Sequence, residues 1–409
     1  MSTATLPAGA LRRDATLIGL VGLAHGVSHF SQLLLAPLFP WLKDAFGASY
    51  AELGFLMTIF FVVSCSVQAV SGFVVDRFGP RPILFAGLSL LGAAAFGFAA
   101  STSYAMLAFF SVIGGLGNGV FHPVDYTLLN RKVHPTRLGH AFSAHGITGN
   151  LGWALAPAML VPLAYATSWR MALVGAGLLA FAVLGLLWLN RAELEVDVAA
   201  LDKATTHPGA AQGAFDFLAI PAVWMCFGFF LFFAIALSGV QAFAPEAARL
   251  LHGVPTHAAA LCLSVYMVCA AGGMVVGGFL ASDPARCERI VGAGMGMAAA
   301  IALTIGFADV PPMAVPVLFG AMGFGAGIAG PSRDLLVKRS SPDNATGRVY
   351  GVVYSGLDIG QAIAPLVFGS LMDMHRPAMV WLGIAIAQFV LIVSAFNVRH
   401  ARRTTLASA

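Results

Sequence analysis

Charge is what this chain of 409 residues has least of: its 22 Lys and Arg and 18 Asp and Glu make up only 10% of the sequence. A soluble domain carries about 25% charged residues. With 59% apolar residues and a mean hydropathy of +0.85, a soluble form would expose more apolar surface than water tolerates, so the composition places the chain in a lipid bilayer. Cysteine is also scarce and shows no pairing pattern. Cys65, Cys226, Cys262, Cys269 and Cys287 form no CxxC, and four of them lie inside apolar runs, as small packing residues do. No phosphate-binding glycine loop, nucleotide motif or nucleophile-base arrangement occurs, which excludes an ATP-driven pump and leaves no basis for an enzyme or a cofactor. The basic residues form no face or stripe, which argues against nucleic acid as a partner. A cleavable leader is not expected either: the apolar segment after Arg12 and Arg13 runs on to Pro40, too long for a signal h-region.

What the chain does have is a series of apolar runs near the ~20 residues a spanning helix needs. They fall at 15–40, 51–75, 82–100, 103–130, 139–163, 169–190, 215–243, 257–281, 289–308, 312–338, 347–372 and 377–398. This predicts an all-α membrane protein of twelve transmembrane helices in two six-helix bundles. The two halves are diverged copies. Gly115 to Pro157 recurs 208 positions later as Gly323 to Pro365, in register through Gly117/Gly325, Gly119/Gly327, Pro123/Pro331 and Gly152/Gly360, and Pro37/Pro245 fits the same offset. Parallel repeats in a hydrophobic chain are the mark of a transporter whose halves rock around a central site. The expected domains are residues 1–190, a hydrophilic cytoplasmic linker at 191–214, and residues 215–409. Lys43, Arg170, Arg249 and Arg376 are the only four basic residues on one side of the membrane, against seventeen on the other. The positive-inside rule then predicts a multi-pass protein of the plasma (inner) membrane with both termini cytoplasmic, here expected to be a monomer.

Polar residues mark the helices that face a cavity. The third, sixth, ninth and twelfth spans are almost purely apolar and are expected to face lipid. Ionisable groups inside the other spans are costly in hydrocarbon and should face water or each other. His25, His29 and Gln32 share one face of the first span at i, i+4, i+7, and Asn118, His122 and Asp125 repeat that spacing on the fourth. His145 and Asn150 enter from the fifth span. In the second half Tyr354, Asp358 and Gln361 form a stripe on the eleventh span, with Asp358 at the repeat position of Asn150. A His/Asp cluster exchanges protons near neutral pH, which makes Asp125, Asp358 and His29 the candidate proton carriers. His29 and the remaining residues, His25, Gln32, Asn118, His122, His145, Asn150, Tyr354 and Gln361, are candidate substrate contacts. Two other readings stay open: divalent-metal ligation by His25, His29, His122 and Asp125, and plain interhelical hydrogen bonding.

Between the second and third spans the chain reads Gly72-Phe-Val-Val-Asp76-Arg77-Phe-Gly79-Pro80-Arg81. This resembles the GxxxDRxGxR loop of the major facilitator superfamily, and with twelve spans and the repeat the resemblance covers the whole chain. It implies a gating role for Gly72, Asp76, Arg77, Gly79 and Arg81, with Asp76 set against the start of the eleventh helix near Gly347-Arg348. Arg333 and Asp334, low on the tenth span, are expected to form a cytoplasmic gate pair. A narrower similarity, to the fosmidomycin-resistance-type branch, rests on His25-Gly-Val-Ser-His29, Gln68, Val120-Phe121-His122-Pro123 and Gly149-Asn150-Leu151-Gly152. The chain departs from that branch at Ser28-His29, where the branch tends to carry Asn-Asp, and at Val124, where it tends to carry an acid. The resulting expectation is a proton-coupled secondary carrier that moves a small organic solute, drug or metabolite anion by alternating access, in the direction of export. The alternatives are an uptake symporter for a small organic acid, a His/Asp-based divalent metal transporter, and a non-transporting receptor or sensor.

Overall fold

A computed structural model of the chain describes the backbone of residues 8–196, 221–280, 286–340 and 346–407, and the side chains of 11–196, 223–280 apart from Ala260, 286–332 and 355–394. The described elements are helical. They are α1 (Ala8–Gln32), α2 (Phe39–Phe46), α3 (Tyr50–Phe78), α4 (Pro80–Ala100), α5 (Tyr104–Asn118), α6 (Phe121–Lys132), α7 (Leu138–Ala166) and α8 (Trp169–Leu189) in the first half. The second half has α9 (Pro221–Ala242), α10 (Ala244–His252), α11 (Thr256–Leu280), α12 (Cys287–Phe307), α13 (Val315–Ser340), α14 (Thr346–Asp373) and α15 (Pro377–Ala407).

These fifteen helices make the twelve expected spans, because three spans are broken in two. The first comprises α1 and α2, the fourth α5 and α6, and the seventh α9 with α10. Eleven of the spans are long and apolar enough among the described residues to cross a bilayer. The remaining one, α14, is 28 residues long. Successive spans alternate in direction, so the molecule has a near face, where α1 starts, and an opposite far face.

The breaks follow from proline. The first span was expected to run continuously to residue 40, but regular helix stops at Gln32. Pro37 sits in a 3-10 turn, Ala36–Leu38, and Pro40 in the first turn of α2, a position that tolerates its missing N–H. Pro245, at the repeat position of Pro37, likewise lies in the first turn of α10. On the near face the turn from α3 to α4 depends on Gly79, whose φ of 81° and ψ of 159° lie outside the space open to other residues, and Pro80 then starts α4. Asp14 ties down the start of α1. It is buried, pairs with Arg137 at 2.6 Å and accepts the His134 backbone N–H at 3.1 Å, fastening the first span to the connection between the fourth and fifth.

Of the expected linker, residues 191–196 are described. Glu195 meets Arg81 at 3.0 Å and its carbonyl accepts Lys132 Nζ at 2.9 Å. Residues 197–214 lie outside the described residues.

The bundles meet along α3 with α14 and α7 with α11. Hydrogen bonds across the seam run from the far face inward. Asp373 accepts the backbone N–H groups of Tyr50 and Ala51 at 2.8 Å each, Thr58 donates to the Ala362 carbonyl at 2.6 Å, and Ser264 donates to the Ala154 carbonyl at 2.8 Å. Tyr50 also donates its hydroxyl to Glu246 at 2.9 Å. Glu246 in turn holds Arg249 in a bidentate pair at 2.7 Å.

Candidate functional site

The central site is built by α1, α5, α6 and α7, and α3 joins it from the side. Pro123 has no N–H to offer the Gly119 carbonyl four residues back, and its ring opposes a continuous turn. The fourth span accordingly breaks at 119–120, and the freed Gly119 carbonyl accepts the Ser71 hydroxyl of α3 at 3.3 Å. Asn118 therefore ends one helix, while His122 and Asp125 lie on the next. The stripe expected on one helix is carried by two. On the other side α1 and α7 come so close that only glycine fits between them. A Cβ on Gly152 would collide with the Gly26 carbonyl, and one on Gly149 would lie 2.7 Å from His29 Cε1 and 3.0 Å from His25 Nε2.

This packing gathers His25, His29, His122, His145 and Asp125. Asp125 has no exposed surface. Its Oδ2 lies 3.1 Å from both His25 Nδ1 and His145 Nε2, and its Oδ1 has no hydrogen-bond partner. Both nitrogens can donate to the carboxylate only if each carries its hydrogen, which in a neutral ring leaves His25 Nε2 and His145 Nδ1 as the lone-pair nitrogens. His25 stacks on His145 with centroids 3.5 Å apart, and is inclined to His29 at 4.3 Å and to His122 at 5.5 Å. His122 Nδ1 meets Gln68 Oε1 at 2.8 Å, and the Gln68 amide then donates to Asp358 Oδ2 at 3.2 Å. Gln68 thus joins the histidine cluster of one bundle to a carboxylate of the other.

Toward the far face a chain of amides and hydroxyls continues the site. Asn118 accepts from Ser28 at 2.7 Å and from Gln32 at 3.4 Å, and donates to Ser64 at 2.8 Å. Gln32 accepts the Trp153 indole N–H at 3.0 Å, and that indole covers His29 at 4.2 Å between ring centroids. Asn150 lies at the seam, against Met274 Sδ at 3.2 Å. Gln361 is buried on α14, and its Oε1 has no hydrogen-bond partner. The side chains of Tyr354, Arg333 and Asp334 lie outside the described residues. Of the near-face motif, Arg81 meets the linker, Arg77 lies 5.4 Å from the centroid of the Phe78 ring, and Asp76 has no ion pair among the described residues. The start of α14, which Asp76 was expected to face, has no described side chains.

Sequence reasoning did not place Ser64 and Trp153 in the site, and noted Ser28 and Gln68 only within the family resemblance. The available signal was weak for Ser64, since serine is a common packing residue in membrane helices. It was stronger for Trp153, eight residues after His145 on the same helix face. Among the described residues no Lys or Arg pairs with Asp125 or Asp358. Two groups of ligand-type atoms lie within 4.8 Å of one another: those of His25, His29 and His122, and those of His25, Asp125 and His145.

A family model described as Major Facilitator Superfamily matches residues 21–365. The probable nitrate/nitrite transporter NarK2 of Mycobacterium tuberculosis is 27% identical over 403 residues, covering 96% of this chain and 98% of that protein. The fosmidomycin resistance protein of Escherichia coli is 27% identical over 148 residues, 36% of each chain. The chain spans about a third of the length of this and several other curated relatives it matches. Among solved structures, a bacterial homologue of the human lysosomal transporter Spinster, in an inward-facing and occupied conformation, superposes with a TM-score of 0.75 at 15% identity over 96% of this chain and 97% of that one.

Proposed function

The chain belongs to the major facilitator superfamily, and from that premise we propose that it is a proton-coupled secondary carrier that exports a small organic solute, drug or metabolite anion by alternating access. The observation that supports this best is the placement of Asp358. The carboxylate sits on α14 about 22 Å in from the far-face end of that helix, counting 1.5 Å per residue. It accepts a hydrogen bond from Gln68 across the seam between the two bundles.

A carboxylate at a moving seam, with no Lys or Arg paired to it among the described residues, is costly as an anion in a low-dielectric setting and is neutralised by a proton. When Asp358 gains a proton, its bond to the Gln68 amide loses its ionic character, and charge-assisted hydrogen bonds are roughly twice as strong as neutral ones. Protonation therefore weakens one contact between the bundles and biases their rocking. Asp125, wholly enclosed by the first bundle, is assigned the holding of His25 and His145. The substrate surface proposed beside it runs through His29, Gln32, Asn118 and Gln361 near the pseudo-twofold axis. In this reading the far-face hydrogen bonds support a closed far end, and the basic near-face loops support a cytoplasmic near face.

Export draws support from the similarity to the fosmidomycin resistance protein. A second reading, uptake of a small anion, is favoured by the full-length similarity to NarK2. In proteoliposomes assayed with a panel of small anions that includes fosmidomycin and nitrate, an imposed pH gradient should drive accumulation by the wild-type carrier. Asp358→Asn should abolish accumulation and retain solute exchange. Unchanged pH-driven accumulation in that variant would overturn the assignment, and the sign of the gradient that drives flux decides between export and uptake.

A further inference from the structure

We propose that His25, His29 and His122 form a binding site for a divalent transition-metal ion of the zinc class, with Asp125 and Gln68 as its outer hydrogen-bond partners. The inference goes beyond proton coupling: Asp358 is not among the ligands, and a metal titration reads metal binding alone, although Gln68 links His122 to Asp358.

Four observations carry it. First, the ligand atoms of the three imidazoles lie within 4.8 Å of one another, close to the roughly 3.3 Å separation implied by tetrahedral nitrogens about 2.05 Å from zinc. Second, the rings are mutually inclined, by 50° for His25 and His29, 63° for His25 and His122, and 75° for His29 and His122. In-plane lone pairs of such rings can converge on a point. The alternative group of His25, Asp125 and His145 is already committed elsewhere, because His25 Nδ1 and His145 Nε2 both meet Asp125 Oδ2 at 3.1 Å and their rings are stacked with centroids 3.5 Å apart.

Third, the hydrogen bonds around the three rings match what a metal site requires. A ligating histidine typically donates its other N–H to a carboxylate or carbonyl, which fixes the tautomer and leaves the opposite nitrogen for the ion. His25 Nδ1 meets Asp125 at 3.1 Å and His122 Nδ1 meets the Gln68 amide oxygen at 2.8 Å, so both rings hold Nε2 as the ligand atom. Fourth, His29 Nδ1 is buried without a hydrogen-bond partner, and Asp125 Oδ1 is buried in the same condition beside the cluster. Buried polar atoms of this kind are rarely left unmet. Neutral imidazoles suit zinc, copper, nickel or cobalt better than magnesium or calcium, and three of them leave a coordination position open, as in sites where a fourth ligand exchanges.

The experiment is metal titration of the purified, tag-free, full-length carrier in detergent after chelator treatment. Zinc is measured by competition with a chromophoric chelator, and cobalt by its visible d–d absorption, which reports coordination geometry independently of transport. Wild-type protein should bind one ion per chain with a tetrahedral or five-coordinate cobalt spectrum. His29→Ala and His122→Ala should lose that binding. Gln68→Leu should weaken it by about 10- to 100-fold, the usual effect of removing an outer hydrogen-bond partner, while His145→Ala retains it. Gel filtration and metal-free melting temperature identify any variant that fails to fold, and Gln68→Leu keeps the test open if a histidine variant does fail. Equal zinc binding by wild type and a His29→Ala/His122→Ala double variant would overturn the proposal, as would loss in His145→Ala with retention in His29→Ala.

Discussion

At the scale of single residues, the site depends on one glycine. Gly149 lies on α7 beneath the rings of His29 and His25, and an added Cβ would approach His29 Nδ1 to 2.8 Å and His25 Nε2 to 3.0 Å. Within a helix, Gly→Ala is otherwise favourable by roughly 0.5–1 kcal/mol. Overpacking costs about 1–3 kcal/mol and outweighs that gain, so Gly149→Ala should lower the melting temperature and lower transport at least tenfold by displacing His29; wild-type transport in this variant would show that the position of His29 does not matter. The histidines themselves were legible from the sequence, because ionisable groups are conspicuous in apolar helices and their i, i+4 spacing puts them on one face. Their hydrogen bonds were not legible. That Asp125 accepts from His25 and His145, and that Gln68 spans His122 and Asp358, depends on how helices distant in sequence are rotated against one another.

At the scale of elements, α3 and α14 are held at the far face by a helix-end contact. The Asp373 carboxylate caps the first-turn N–H groups of Tyr50 and Ala51, donors that no helix can satisfy internally, and its charge opposes the positive end of the α3 dipole. Asp76 lies at the opposite end of α3, and the family resemblance aims it at the start of α14. The two acids thus stand at the two ends of one pair of helices, one at each face. Hydrogen bonds to charged groups contribute about 1.5–3 kcal/mol each, and 1.4 kcal/mol is a tenfold change in population. Asp373→Ala should therefore raise the labelling rate of Thr58→Cys by a membrane-impermeant maleimide by about tenfold or more, in a background lacking the native cysteines. An unchanged rate would remove Asp373 from the closure of the far face. Proline made the helix breaks partly readable in advance. Pro123 lies just past the interruption of the fourth span, whereas Pro331, its repeat counterpart, sits inside the continuous α13, because the environment around each proline decides whether the helix bends or stops.

At the scale of the whole molecule, composition and the repeat made the fold legible early. Twelve apolar runs and a 208-residue offset admit few arrangements in a bilayer, and the family match and the structural likeness to the Spinster homologue agree with that reading. The two halves nonetheless differ in chemistry. The first concentrates imidazoles, and the second presents Asp358 at the seam and Gln361 buried on the same helix, so the two copies bring different polar groups to the site. Substrate identity stays outside the reach of the fold, since it is set by a few side chains on a shared frame.

The central claim, that solute movement is coupled to proton movement, is tested most directly by recording luminal pH in proteoliposomes with equal pH on both sides while a solute gradient alone drives transport. With any member of the anion panel whose entry is confirmed by mass spectrometry, the account predicts a simultaneous pH change in wild type that is absent in Asp358→Asn. A solute that enters while luminal pH stays flat in the wild-type carrier would contradict it.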